Sequence, residues 1–259
     1  MIVSLLFIAL AQIPQPANPP GTAITLDILR PHFIPGATSL LSVAAFASGR
    51  VTAGTAHLVF ELPFFNIDPS SPSPAGPTST IGNPYAGIEF GDRRLGASTR
   101  LSATAGLRLP LLTQDDEART IGSYVDVSRF EAFRANTLSI QSTLRFRAQN
   151  NDGFFVAVSG GPTIWMASRS SDKTELVLHH EVSAGHQGSA AWFAAGYSGL
   201  SILTESAAAV GELTFGELYL SIGYARGPVR PVLHLMAPLD QEYSAFIGSV
   251  VGFGVAIGL

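Results

Sequence analysis

The 259-residue chain contains no cysteine, and only 13% of its residues are charged, about half the share of an average soluble domain. Without cysteine, neither a disulfide framework nor a thiolate zinc site can form. A net charge of -4 and a pI of 5.8 exclude a phosphate-tracking nucleic-acid surface, which needs an excess of Lys and Arg. The chain also lacks a long apolar run. Its residues are 46% hydrophobic and its mean hydropathy is +0.30, which rules out disorder and suits a membrane protein. Past the N-terminus, however, no run reaches the roughly 18 apolar residues of a spanning helix.

Alternation accounts for the mismatch. In 137–147, Thr137, Ser139, Gln141, Thr143, Arg145 and Arg147 share one face, while Leu138, Ile140, Leu144 and Phe146 share the other. Ser102, Thr104 and Arg108 oppose Ala103, Ala105, Leu107 and Leu109; His57 and Glu61 oppose Leu58, Phe60 and Leu62. Period two over such lengths marks strands. Repeated in segments of about 10 residues, it marks a barrel with lipid outside and a polar lumen inside. The fold expected is all-β: a closed antiparallel up-and-down transmembrane β-barrel of about 12 strands.

The strands are placed near 23–30, 40–49, 52–63, 81–91, 97–110, 136–148, 153–166, 173–184, 189–203, 209–225, 229–237 and 245–259. Leu213 and Phe215 fall out of phase with Leu218, Leu220 and Ile222, and a bulge at Gly216 is the simplest repair. In the last strand Ile247, Val251, Phe253, Val255, Ile257 and Leu259 share one face. Tight turns are expected at Arg50-Val51, Asp92-Arg93-Arg94, Asn150 to Gly153, His186-Gln187-Gly188 and Gly227-Pro228. The intervening links are longer, above all 65–80 and 111–136. Bacterial barrels keep their short turns periplasmic, so both termini are expected there. Within 111–136, Ser128-x-x-Glu131 reads as a capping box with Phe130 and Phe133 on one helical face. A short exposed helix at the rim is preferred over a plug.

At the start, Ile2 to Leu10 followed by Ala9-Leu10-Ala11 reads as a signal peptide over 1–11, although no Lys or Arg precedes the apolar run. Residues 12–22, with Pro14, Pro16, Pro19 and Pro20, form a linker. A single barrel domain fills 23–259.

Three pieces carry a family resemblance: Gly82-Asn83-Pro84-Tyr85-Ala86-Gly87-Ile88-Glu89-Phe90, Gly106-Leu107-Arg108-Leu109-Pro110, and Val229-Arg230-Pro231 with Ala237-Pro238-Leu239-Asp240. They resemble strand motifs of the phenol-degradation-associated, transporter-like outer-membrane barrels. The final strand is similar to the closing strand of outer-membrane barrels, with Leu259 where the family usually ends on an aromatic residue. The resemblance implies a Gram-negative-type outer membrane as the location. It also implies recognition of the C-terminal strand by the barrel assembly machinery.

The inward charges are the site candidates: Glu61, Glu89, Arg108, Arg145, Arg147, Glu175, His179 and Glu181. Buried charges need partners, so Glu89 is expected against Arg108 and Arg145 against nearby carboxylates. Basic residues comprise 14 Arg and one Lys, Lys173. His179, Glu181 and Ser183 share a face and could form a hydrolase triad. Same-face neighbours lie about 6.5–7 Å apart along a strand, too far for a direct nucleophile–base bond, and a polar lumen explains them better. His180 then faces lipid. Asp115-Asp116-Glu117 reads as a solvated cluster rather than a calcium site. No catalytic residue, metal or cofactor is expected, and the chain is not read as an enzyme. The function expected is a passive pore or transporter for small molecules, apolar ones included, with the lipid bilayer and a small solute as partners. The alternatives are a surface-interaction barrel acting through 65–80 and 111–136, or a hydrolase centred on His179 and Ser183.

Overall fold

The computed structural model describes residues 21–37, 41–67, 79–113, 122–167, 173–204 and 214–259. The expected signal peptide, nearly all of the Pro-rich linker and the Asp115–Glu117 cluster lie outside the described residues.

Twelve strands form the wall: β1 (Ala23–Phe33), β2 (Leu41–Ala53), β3 (Ala56–Ile67), β5 (Tyr85–Arg94), β6 (Thr99–Arg108), β7 (Thr137–Gln149), β8 (Phe154–Ala167), β9 (Glu175–Gln187), β10 (Ala191–Ile202), β11 (Thr214–Tyr224), β12 (Val229–Pro238) and β13 (Ile247–Gly258). Each pairs antiparallel with its neighbours, and β1 pairs with β13, so the sheet closes. A short β4 (Ser79–Ile81) adds to the end of β3. Closure removes the free edges that would leave backbone groups unsatisfied in lipid. Among the described residues no helix is long and apolar enough to cross a membrane, which says nothing of a β-barrel.

Alternation sets the two faces. In β1, Thr25, Asp27 and Leu29 are buried inward while Ile24, Leu26 and Ile28 are exposed outward. In β11 and β12, Leu218, Leu220, Ile222, Leu233 and Leu235 continue an apolar outer belt. An exposed apolar surface of this extent is a membrane-facing one. Some inward sites are glycine because a neighbouring ring lies across them. A Cβ at Gly87 or Gly106 would meet the Tyr85 ring and backbone oxygens within 2.4–2.8 Å.

Several expectations are corrected in detail. The β2–β3 chain turns at Gly54, whose φ of +65° favours glycine, rather than at Arg50-Val51; Arg50 instead points inward. The β5–β6 turn falls at 95–98 rather than at 92–94. Strand β11 pairs with β10 without a register shift, so there is no bulge at Gly216. Phe215 points inward because apolar matter fills the lumen beside it. In β13 the register shifts beside the pairing of Phe33 with Ile247, which turns Ile247 inward, away from the outer face of Val251 and Phe253.

The largest correction concerns 122–136. The segment is not an exposed rim helix; it folds into the barrel. Val125, Val127, Phe130, Ala132 and Phe133 are buried, and around them lie inward side chains of the wall, including Phe46, Phe65, Trp165, Leu200, Phe215 and Met236. Its regular part is a 3-10 helix, Val127–Ala132, capped by Asp126, which accepts from the Ser128 backbone N–H. The Ser128–Glu131 capping box does not form. Phe130 stacks on Trp165 and Phe215, while Phe133 meets Phe46 and Phe65, so the two rings serve different walls.

Candidate functional site: a lumen filled from one end

The inserted segment descends from the end that carries the longer links. Its apolar side chains make an aromatic cluster of Tyr124, Phe130, Trp165, Phe215 and Tyr243. Buried ion pairs fix its polar side. The Arg129 guanidinium donates to Asp27 at 2.8 Å, lies 3.2 Å from Glu61 and 3.6 Å from Asp126, and sits 4.3 Å over the Phe46 ring. Arg108 reaches Glu61 at 2.7 Å and donates to the Asn83 carbonyl at 2.8 Å. Two guanidiniums therefore hold three carboxylates in one network, the paired arrangement that buried charge requires.

Glu131 makes the second anchor. One oxygen accepts from the Trp165 indole N–H at 2.9 Å and from His179 Nε2 at 2.6 Å. Burial by itself pushes this carboxyl up, but His179, Arg108 and the Trp165 donor outweigh it and hold it at about 2, below the ordinary 4.5. Arg134 binds Glu175 at 3.0 Å and lies 4.1 Å over Trp165.

Gly82 and Asn83 form a clamp at the mouth. The Asn83 side chain donates to the carbonyls of Glu131 and Arg134 and accepts from the Leu112 N–H; its backbone N–H donates to the Ala132 carbonyl. A Cβ on Gly82 would lie 2.4 Å from that carbonyl oxygen, so only glycine permits the approach. The insert's two ends meet where Asn136 N–H donates to the Leu112 carbonyl at 2.7 Å.

All eight charged positions singled out from the sequence point into the barrel, but they do not form one cluster. Glu61 and Arg108 join the Arg129 network, Glu175 takes Arg134, and His179 takes Glu131. Glu89 pairs with Arg50 at 3.0 Å, not with Arg108. Glu181 accepts from Ser159 and Tyr219 and is attracted to Arg145. Arg147 donates to Gln187 at 2.7 Å and lies flat over Phe155 at 3.9 Å. His179 is bound to Glu131 rather than to Ser183, which breaks the imagined triad. His180 faces outward, its ring tilted against Tyr197 at 5.6 Å. Among the described residues no group of three or more His, Asp or Glu could hold a metal. Sequence reasoning missed Asp27, Asn83, Asp126 and Arg129. Asp27 was legible as an inward position of β1; the others act only because the insert folds inward.

The solved structures that match share this architecture. An outer membrane channel from Pseudomonas putida F1 superposes with a TM-score of 0.66 at 13% identity, over 96% of this chain and 99% of its own. The KdgM porin superposes with a TM-score of 0.52 at 9% identity, over 92% of this chain and 99% of its own. No protein-family model and no curated protein sequence matches the chain. By fold the chain is a closed antiparallel β-barrel with twelve strands in the wall, the architecture that those outer-membrane proteins share.

Proposed function

We propose that the protein is an outer-membrane channel for small solutes whose lumen the 122–136 insert keeps narrow. The observation that carries this reading is the division of the lumen. The half at the longer links is filled by the insert, whereas in the other half, half-buried polar side chains such as Ser102, Thr104, Thr143 and Arg145 line the wall beside a small packed cluster of Phe155, Ala157, Trp192 and Ala194. A barrel needing only rigidity has no use for a polar, half-accessible inner wall, whereas a solute path does. In this reading the short turns and both termini are periplasmic and the insert guards the outer mouth.

Planar-bilayer recording tests it. Leu112 and Asn136 are already hydrogen-bonded to each other, so a short Gly-Ser link can replace 114–135 without stretching the wall. The deleted form is expected to conduct in discrete steps, with several-fold larger steps than the parent. A folded deletion variant that never conducts would overturn the channel reading and leave a surface-interaction barrel.

A further inference from the structure

Glu217 points inward from β11 against the insert and belongs to none of its anchors. It is 1% exposed. Neither carboxylate oxygen is reached by water or has a hydrogen-bond partner among the described residues. The insert supplies much of the cover. Its Phe130 stacks on Phe215, the preceding inward residue of β11, and the Val127 backbone N–H approaches Glu217 without completing a hydrogen bond. Across the wall, Glu217 is the register partner of Ser198 on β10, and Ser198 that of Glu181 on β9. On the other side stand Pro238 of β12 and, from the β12–β13 link, the buried Tyr243, whose hydroxyl has no partner. Tyr219 follows on the same face of β11 and donates to Glu181.

The charges around Glu217 are mostly of its own sign. Asp126 and Glu181 repel it and Arg129 attracts it, but Arg129 also serves Asp27, Glu61 and Asp126. Arg145 is drawn to Glu181. An ionised Glu217 would be a sealed anion beside two others. Such a group is too costly in a low-dielectric interior and takes up a proton instead. Among the described residues no group of three or more His, Asp or Glu could hold a metal in its place.

We infer that Glu217 is a proton latch on the insert, held as the neutral acid while the insert is seated and giving its proton to water when the insert lifts. Seating and protonation are then one equilibrium. Lifting the insert lets water reach the carboxyl, the O–H bond breaks, and the charge that the closed lumen could not hold is hydrated. The seated state keeps a proton that the lifted state loses. Each rise of one pH unit above the ordinary carboxylate range therefore favours lifting by about tenfold, until Glu217 ionises in the seated state too. Glu131 acts in the opposite sense, since its carboxylate form holds the insert through Trp165 and His179. The inference rests on the channel reading for its consequence, a pore that opens as the pH rises, but not for the latch itself.

Hydrogen exchange and infrared spectroscopy test the latch without conduction. Between about pH 5 and 6, a carboxyl in water is largely ionised and a histidine in water largely keeps its proton, so Glu131 and His179 add little to the slope. Backbone N–H exchange within 122–136 of the folded barrel, divided by that of the same segment as a free peptide at each pH, gives the lifting equilibrium. It is expected to rise about tenfold over that interval. Glu217→Gln, which keeps the shape without the titration, should flatten the rise. At neutral pH the parent should also show the infrared carbonyl band of a neutral carboxylic acid, and Glu217→Gln should remove it. A flat slope in the parent, a slope that Glu217→Gln leaves unchanged, or an acid band that survives the substitution in full overturns the inference. Should the variant not fold, the slope of the parent still decides. A barrel that shows the latch yet passes no current keeps the latch and removes the channel; one that conducts with an opening independent of pH does the reverse.

Discussion

Arg129 is the residue on which closure of the lumen turns. One guanidinium faces Asp27, Glu61 and Asp126, and removing it leaves three buried carboxylates with too little positive charge. Breaking one side of a buried ion pair costs about 3–5 kcal/mol. Arg129→Met, which keeps the apolar contact with Phe46, is expected to release the insert while the wall stays closed. Limited proteolysis in micelles should then cut within 122–136 much faster than in the parent, with the heat-modifiable gel shift retained; unchanged cutting would count against the anchor. Glu131 provides a pH-dependent anchor. Its carboxyl is depressed in the folded state, so its contribution is complete above the ordinary 4.5 and is lost as the pH falls towards about 2. The insert should therefore resist protease down to about pH 4.5 and loosen below it, and Glu131→Gln should weaken that dependence. Neither anchor could be read in sequence. Glu131 sits at a capping-box spacing from Ser128, but Trp165 and His179 hold its side chain at longer range. Asn83 lies in a motif that the sequence marks without saying what it binds.

At the scale of the strand, the two faces predict opposite responses to charge. Leu220 and Leu235 are register partners on the outer face, and both are exposed where lipid would cover them. Leu220→Arg is expected to cost about 2–4 kcal/mol if it lies near the bilayer midplane, measured as urea-dependent folding into lipid vesicles. Thr104→Lys, inward and half-buried, should cost far less; equal penalties would mean that the faces are reversed. Strand positions were legible because period two encodes them directly: β7, β8 and β12 lie within about two residues of where alternation puts them. One misreading has its physical source in the lumen. Phe215 breaks the alternation because the inner face is apolar where the insert packs. A rule that assumes a watery lumen reads such a residue as a bulge.

The whole molecule is a closed cylinder whose lumen is filled from the end that carries the insert. Folded protein should run faster unheated than heated on a gel, and a soluble monomer without that shift would contradict the transmembrane wall. If the short turns are periplasmic, a tag inserted at Asn150–Gly153 should escape protease added to intact cells, while the same tag in 68–78 should be cut; the reverse pattern would invert the barrel. The sequence by itself determined the class of membrane protein, the strand number and, on most strands, which side chains face in. Each of those follows from local periodicity, which is carried by neighbouring residues and survives without knowledge of the fold. Only the tertiary structure decided that the insert enters the lumen, and that Glu89 takes Arg50 and leaves Arg108 to Glu61. Those outcomes depend on which strands become neighbours when the sheet closes, and on whether an ion pair forms in the low-dielectric interior, where charge without a partner is too costly to leave.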